Sequence, residues 1–394
     1  MTSPQTIIDN LAPVLAEIAA TAAQREQDRE FSRDLAKQLS AGGFTKLRIP
    51  IEFGGLGFSL PEAFEVLVAV AAADSNIAQG LRPHFLAVES LLIAPDSEHR
   101  TKWLRKIAEE GVVIGNALTE VGNKPGELKT KIRKDGEAFV LSGTKFYSTG
   151  SLYADWIQVH AKDEEDQDVF AFVDRDASGV VLVDDWDGFG QKLTASGTTT
   201  FKDLEVDPRW IIPRTDAPML VWTYLQLNLL TVLVGSAAAA VDEVVARAQS
   251  STRNAWNPGV ERRSDPAATI AIGDARSRVT VIRGALLDAT RHVSNAATIA
   301  TPDAFNEADA IVAALWPIVS EQALVVTSNV FDAVGASAVL GEHSIDRHCR
   351  NVRTVSSNNP VFLAKNAVGE YALNGTPVGT NIGKALSRPV ILSS

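Results

Sequence analysis

The spacing of apolar residues along this chain changes period twice, and that change limits its fold more than any other feature. Up to about residue 110 the spacing is helical. Ile7, Ile8, Leu11, Val14, Leu15, Ile18 and Ala22 fall on one face with polar residues between them. A second helix is expected over roughly Asp34 to Ala41, stopped by Gly42-Gly43. Ser59, Pro61 and Glu62 have the pattern of a capping box that starts a third helix running to about Ala73, and two more reach Glu110. After Gly111 the runs become short and β-type: Val112 to Ile114, Lys129 to Ile132, Phe139 to Leu141, Trp156 to His160, Val169 to Val173, Val180 to Val183 and Thr198 to Val206. Turns rich in Asp and Gly separate them, which predicts a small barrel or sandwich. From about Pro218 long Ala-, Leu- and Val-rich helices return: Met219 to Ala248, Pro266 to Ala297, Ala304 to Val334 and Pro360 to Leu373. Long helices with short connections make a bundle, and their wide apolar faces point to oligomerisation. The expected class is α+β multidomain: an N-terminal helical domain (1–111), a central β domain (112–214) and a C-terminal helix bundle (215–394).

Charge and composition remove several functions. Against 37 Lys and Arg stand 48 Asp and Glu, a net charge of −11. Nucleic acids and anionic membranes both attract basic faces, so neither is expected as a partner. The lone cysteine, Cys349, excludes an internal disulfide and a cysteine-based zinc site. The six histidines are scattered without paired-ligand spacing, so no metal is expected. The first ten residues lack the basic start and apolar core of a signal peptide. The apolar run Leu229 to Val241 is too short to span a bilayer. A cytoplasmic location is the resulting expectation.

Motifs for common cofactors are missing too. Gly54-Gly55-Leu56-Gly57 and Gly188-Phe189-Gly190 both lack the third glycine of a dinucleotide-binding loop. Three segments of the β region stand out instead: Gly115 to Glu120, Leu141 to Gly150 and Asp185 to Phe201. Each mixes small hydroxyl residues, glycines and an aromatic. Such a lining can approach a planar heterocycle, stack on it and bond to its edge. Composition alone reads the same segments as polar turns closing a barrel.

The order of these pieces resembles the acyl-CoA dehydrogenase superfamily. The matching residues are Phe53 to Gly57, Ala117-Leu118-Thr119-Glu120, Ser142 to Lys145 through Gly150, Gly190 to Val206, and Asp346-Arg347 through Arg353. The resemblance implies a central β-barrel, a C-terminal four-helix bundle, a flavin between the domains and a homotetramer. Dehydrogenation in that family needs a carboxylate within reach of an α proton. The stretch Arg353 to Pro360, where most members carry it, has no acid. Neither has Leu225 to Leu230, where a minority do. The similarity is closer to the superfamily's flavin-dependent monooxygenase branch, through Gly115-Asn116-Ala117, Asp184-Asp185-Trp186, Ser196 to Thr199, Trp256-Asn257-Pro258 and Arg350 to Thr354.

That branch implies reduced FMN as co-substrate, delivered by a separate NAD(P)H-dependent flavin reductase. With O2 it gives a C4a-hydroperoxide that oxidises a small organosulfur, amine or aromatic substrate. It implies catalytic roles for His84, Asn116, Ser148 and Asn358, and cofactor contacts from Asn116, Thr119, Tyr147, Ser148, Trp186 and Arg253. Ser148 would bond near flavin N5, His84 would support the peroxide or orient substrate, and Trp186 would wall the flavin. Asn358 and Val355 stand where the branch carries histidines, and Ser337 where it carries an arginine. An amide donates a hydrogen bond but shuttles no proton. The loss of the arginine leaves FAD as an alternative cofactor. Two other functions stay open: an FAD-dependent dehydrogenase with a base such as Glu120, and a non-catalytic flavin-binding or scaffold protein.

Overall fold

A computed structural model describes residues 2–123, 127–136, 138–213, 220–251, 254 and 257–379. The N-terminal helices form where the spacing predicts. The first, α1 (Pro4–Asp28), starts where the Ser3 hydroxyl accepts the Thr6 N–H at 3.1 Å. It buries Ile7, Leu11, Val14 and Ile18 on one stripe. The second, α2 (Arg33–Ala41), stops at Gly42, and Gly43 turns the chain with φ of 93°, a left-handed angle that glycine tolerates. The third, α3 (Leu60–Ala73), opens with the expected capping box, in which the Ser59 N–H donates to Glu62 Oε2 at 2.8 Å. Next come α4 (Ser75–Ile93) and α5 (Glu98–Glu110). Leu11, Ile18, Leu39, Phe44, Val66 and Ile77 share one apolar core.

The central domain is a single eight-stranded sheet. Its strands are β1 (Ile114–Ala117), β2 (Lys131–Asp135), β3 (Ala138–Lys145), β4 (Trp156–Lys162), β5 (Asp168–Asp174), β6 (Val180–Val183), β7 (Thr198–Val206) and β8 (Ile211–Pro213). The order is β6-β7-β3-β2-β4-β5-β8, with β1 added parallel to β4. The sheet wraps one core that includes Ile132, Leu141, Ile157, Val169, Phe201 and Leu204. The first strand begins two residues later than the apolar run Val112 to Ile114 suggests. Val113 instead binds the entry to β4, through its N–H to Asp155 Oδ2 at 2.9 Å and its carbonyl to the Trp156 N–H at 3.1 Å.

The C-terminal part is a bundle of α6 (Leu220–Ser250), α7 (Pro266–Ile299), α8 (Pro302–Asn329) and α10 (Val361–Asn374), with α9 (Asp346–Ser356) packed on α6 and α8. Two differences from the sequence reading concern these helices. The third bundle helix leaves α geometry at Asn329 and finishes in a 3-10 turn, Val330–Ala333. Also, α1, α6 and α8 with its following turn are long and apolar enough, by length and composition, to cross a membrane, which the run Leu229 to Val241 did not suggest. In α6 that apolar length supplies the bundle core: Leu227, Leu230, Leu233, Val234 and Val241 are buried against α7 and α8. It also packs on α3. Gly235 lies so close that a Cβ there would meet Ala71 Cβ at 2.4 Å. The three domains therefore share surfaces along α3, α4 and α6.

Candidate functional site

Buried side-chain amides hold the domain junction together. The Gln191 N–H donates to Asn351 Oδ1 at 2.6 Å, and Gln191 Nε2 donates to Ser75 Oγ at 3.1 Å. Asn351 Nδ2 reaches the same Ser75 hydroxyl at 3.2 Å, and the Leu193 N–H donates to Asn76 Oδ1 at 3.1 Å. The loop before β7 is thereby fixed to the start of α4 and to α9 at once. At Gly190 a Cβ would lie 2.2 Å from the Arg350 carbonyl, so only glycine fits. Buried polar groups satisfied this way specify one arrangement of the domains.

Against this junction lie two of the expected site residues. Asn116 on β1 donates its N–H to the Thr149 carbonyl at 3.1 Å, and Ser148 donates its N–H to Gly197 at 3.2 Å. Both side chains are buried, yet Asn116 Oδ1 and Ser148 Oγ have no hydrogen-bond partner. An orphaned buried oxygen costs about 1–3 kcal/mol, so two at one strand-loop contact call for a ligand. The segment between them is tightly packed: a Cβ on Gly115 would lie 3.0 Å from Gly150 C, and one on Gly150 would lie 2.2 Å from the Gly80 carbonyl of α4. Tyr147, Gln191 and Ala195 all carry φ between 53° and 57°. Three non-glycine residues in left-handed backbone within these two loops concentrate strain where the orphans sit.

An aromatic rim adjoins this pair. Tyr147 is 48% exposed, and its ring lies 6.0 Å from that of Trp186. Trp186 is half-buried over Gly188 and donates Nε1–H to the Gly190 carbonyl at 3.3 Å. Thr119 is exposed, and its carbonyl accepts the Phe146 N–H at 2.9 Å, which ties it to the strand end that leads to Tyr147. Small polar groups, two orphaned oxygens and a pair of aromatic faces fit the edge and face of an isoalloxazine. Asn116, Thr119, Tyr147, Ser148 and Trp186 are thus brought to one place.

The remaining expected residues are not. The His84 ring is fully occupied by backbone. Nε2 lies 2.8 Å from the Thr45 carbonyl and Nδ1 accepts the Ile114 N–H at 3.3 Å, which makes Nε2 the protonated nitrogen. Burial pushes its pKa down to about 4, so the ring is neutral. It pins α4 to β1 and presents no nitrogen to a substrate. Asn358 follows α9 at an exposed turn, where its N–H donates to the Val355 carbonyl at 2.9 Å. Its neighbour Asn359 is the more enclosed amide: its carbonyl accepts Trp316 Nε1–H at 3.1 Å and its Nδ2 is buried without a partner. Arg253 lies outside the described residues.

Glu120, Asp184 and Asp185, near the site, are committed elsewhere. Glu120 accepts from the Thr130 N–H at 2.9 Å, the Thr130 hydroxyl at 2.6 Å, the Lys129 N–H at 2.8 Å, Lys145 Nζ at 2.9 Å and Asn123 Nδ2. The Lys145 and Glu120 side chains are 0% and 5% exposed. These donors outweigh the opposing effect of burial and hold the carboxyl at about 2. A carboxylate so bonded is a poor base. Asp184 pairs with Arg29 at 2.7 Å, and Asp185 takes the Thr198 N–H and hydroxyl, each at 2.7 Å. Deeper in the bundle, Asp309 on α8 accepts from the Thr223 hydroxyl beside a cavity of about 30 Å³, which Gln226, Trp316 and Asn359 also line. Burial raises its pKa to about 7. No residue of the β domain lines that cavity, so this acid does not face the orphan pair.

The amide network and the buried Glu120–Lys145 pair escaped the sequence reading, because neither has a spacing signature.

Comparison with known proteins fits this geometry. Three family models match in order: the acyl-CoA dehydrogenase N-terminal domain over 11–111, the middle domain over 116–204 and the C-terminal domain over 228–359. A dibenzothiophene monooxygenase of Rhodococcus erythropolis is 27% identical over 380 residues, 90% of each chain. A probable FMNH2-dependent monooxygenase, SfnC, of Pseudomonas putida is 24% identical over 95% of this chain and 96% of its own. The FMN-bound structure of TdsC from Paenibacillus sp. A11-2 superposes with a TM-score of 0.85 at 24% identity, covering 94% of this chain and 98% of the other. With three successive domain matches and a shared fold along nearly its whole length, the chain belongs to the acyl-CoA dehydrogenase superfamily.

Proposed function

We propose that this protein is a flavin-dependent monooxygenase that takes reduced FMN from a separate NAD(P)H-dependent reductase and uses O2 to oxidise a small organosulfur, amine or aromatic substrate. The observation that carries the reading is the orphan pair, Asn116 Oδ1 and Ser148 Oγ, beside which the buried carboxylate of Glu120 is fully hydrogen-bonded. It agrees with the activities for which two relatives are named, a dibenzothiophene monooxygenase and a probable FMNH2-dependent monooxygenase. When bound, reduced FMN supplies the two electrons that activate O2, so one oxygen atom enters substrate and the other leaves as water.

The chain's own residues hold and shield. Ser148 Oγ would donate to the flavin edge and Asn116 Oδ1 would accept from it, which would end the desolvation penalty of both atoms. Tyr147 and Trp186, whose rings lie 6.0 Å apart, would cover a flavin face and limit the access of water, which an oxygenating site requires. His84 fixes β1, and therefore Asn116, against α4. A homotetramer in the cytoplasm belongs to the same proposal. Exposed apolar residues on the outer bundle support the assembly: Ile270, Val281 and Ile299 on α7 and Phe362 on α10.

The test is a coupled assay with an NAD(P)H:flavin reductase, FMN and candidate organosulfur, amine and aromatic substrates in air. Oxygenated product that requires both reductase and FMN supports the reading. Product formed equally well by FAD-loaded protein without a reductase contradicts it.

A further inference from the structure

The aromatic rim of the candidate site is held from outside its own domain. Trp186 lies in the loop 184–190 between β6 and β7, most of which is exposed. Inside the loop its ring has one hydrogen bond, from Nε1–H to the Gly190 carbonyl at 3.3 Å, which is long for an N–H donor. The ring also rests on the loop backbone: a Cβ on Gly188 would lie 2.2 Å from Trp186 Cζ2. The place of the ring therefore depends on where that backbone runs.

The last turn of α1 sets the backbone. The helix ends at Arg29 with φ of 53° and ψ of 41°. Glycine takes this left-handed cap with the least strain, so the arginine side chain is kept there against the backbone preference. Its guanidinium crosses to the loop. Nη2 donates to Asp184 Oδ1 at 2.7 Å, and Nε donates to Asp184 Oδ2 at 2.9 Å. Nη2 donates in addition to the Trp186 carbonyl at 3.0 Å. Two parallel bonds to a carboxylate fix the plane of a guanidinium, and the third carries that orientation to the residue that forms the rim. The far end of the loop is referred to the same helix. Arg350 of α9 donates Nη1 to the Phe189 carbonyl at 2.9 Å and to Glu26 Oε1 of α1 at 2.7 Å. A partly exposed ion pair adds little to stability. What this one adds is the position of a carbonyl and of the ring attached to the same residue.

We propose that Arg29 is a positioning residue for the flavin: it holds Trp186 where its ring, with the Tyr147 ring 6.0 Å away, covers the cofactor. An N-terminal helix thereby contributes to cofactor affinity through a residue of the β domain. The inference rests on the reading that this site binds FMN, and it adds a residue that the resemblance does not mark.

The test is a double-mutant cycle on the full chain with Arg29→Met, Trp186→Leu and the double variant. Fluorescence titration gives the FMN affinity, and the emission left at saturation reports how closely an indole stacks on the flavin. Melting curves of the flavin-free proteins check folding. Arg29→Met should weaken FMN binding by about threefold or more, the scale of one lost hydrogen bond, and should raise the residual emission. The double variant should match Trp186→Leu in both readings, because Arg29 acts through that ring. Arg29→Lys should restore part of the affinity. Asp184→Asn, which leaves α1 untouched, should move both readings in the same direction as Arg29→Met. The proposal is overturned if the two single effects multiply in the double variant. It is also overturned if Arg29→Met lowers the melting temperature yet keeps wild-type affinity and quenching, since the arginine would then be structural only. Wild type that binds FMN and obeys the cycle but yields no oxygenated product would sustain the positioning role and strike the monooxygenase reading instead.

Discussion

Replacing Glu120 with Gln separates structure from catalysis at the buried acid beside the candidate site. The carboxylate has one oxygen facing the Thr130 N–H, the Thr130 hydroxyl and Lys145 Nζ, and the other facing the Lys129 N–H and Asn123 Nδ2. A carboxamide keeps one acceptor and sets an NH2 group against the donors of the other. Its better orientation keeps the three-donor side, leaving Lys129 N–H and Asn123 Nδ2 facing a donor. Each unsatisfied donor costs about 1–3 kcal/mol, and the buried Lys145 ammonium loses its counter-charge. Together the loss is about 3–5 kcal/mol, the range for breaking one side of a buried ion pair. Urea unfolding at pH 7 measures it, with turnover per folded molecule measured in native buffer. The carboxyl titrates at about 2 in the folded chain, below its ordinary value of 4.5. Its stabilisation is therefore complete above the unfolded value and declines as pH falls toward 2, a slope the Gln variant lacks. Unchanged stability with abolished turnover would refute the reasoning and make Glu120 the base of a dehydrogenase.

Three further substitutions probe other parts of the account. Ser148→Ala and Asn116→Ala should each weaken FMN binding by about threefold to tenfold, the worth of one ordinary hydrogen bond, and Ser148→Ala should raise the melting temperature of the flavin-free protein by removing an orphaned oxygen; fluorescence titration of FMN and melting curves check both. His84 is held near 4 against an ordinary 6.5. Protonation therefore favours the unfolded chain, and stability should fall by about 3 kcal/mol as pH drops from 6.5 toward 4. His84→Asn should flatten that slope and retain turnover per folded molecule. Asp309 has a folded value of about 7 against 3.8, so its penalty grows as pH rises through that interval. Asp309→Asn keeps an acceptor for Thr223 and should stabilise the protein above pH 7 with no gain at pH 4, as read from melting curves across pH.

The sequence made the domain order legible because each domain has its own apolar period, and period depends only on local burial. Capping chemistry is equally local, so Ser59 and Glu62 marked the start of α3. Roles that depend on distant partners were less accessible. His84 reads as a site histidine by its neighbours in sequence, but its ring nitrogens bond to residues 39 and 30 positions away. Glu120 and Lys145 both sat in segments the sequence singled out, yet their pairing needs the β3 register. The resemblance marked Asn358 for chemistry, whereas the turn after α9 leaves it exposed and encloses Asn359. In contrast, the segments that carry Asn116 and Ser148 stood out by their small, hydroxyl and glycine residues, while the roles expected of the two side chains came from the resemblance.

The central claim is that the site activates O2 on a reduced flavin and removes no carbon-bound proton. Isotopically labelled O2, supplied to the protein with enzymatically reduced FMN and an oxidisable substrate, tests it most directly. The account predicts one labelled oxygen in the product and none when labelled water replaces labelled O2. An unlabelled, unsaturated product, together with anaerobic bleaching of the bound flavin by an acyl-CoA, would contradict it.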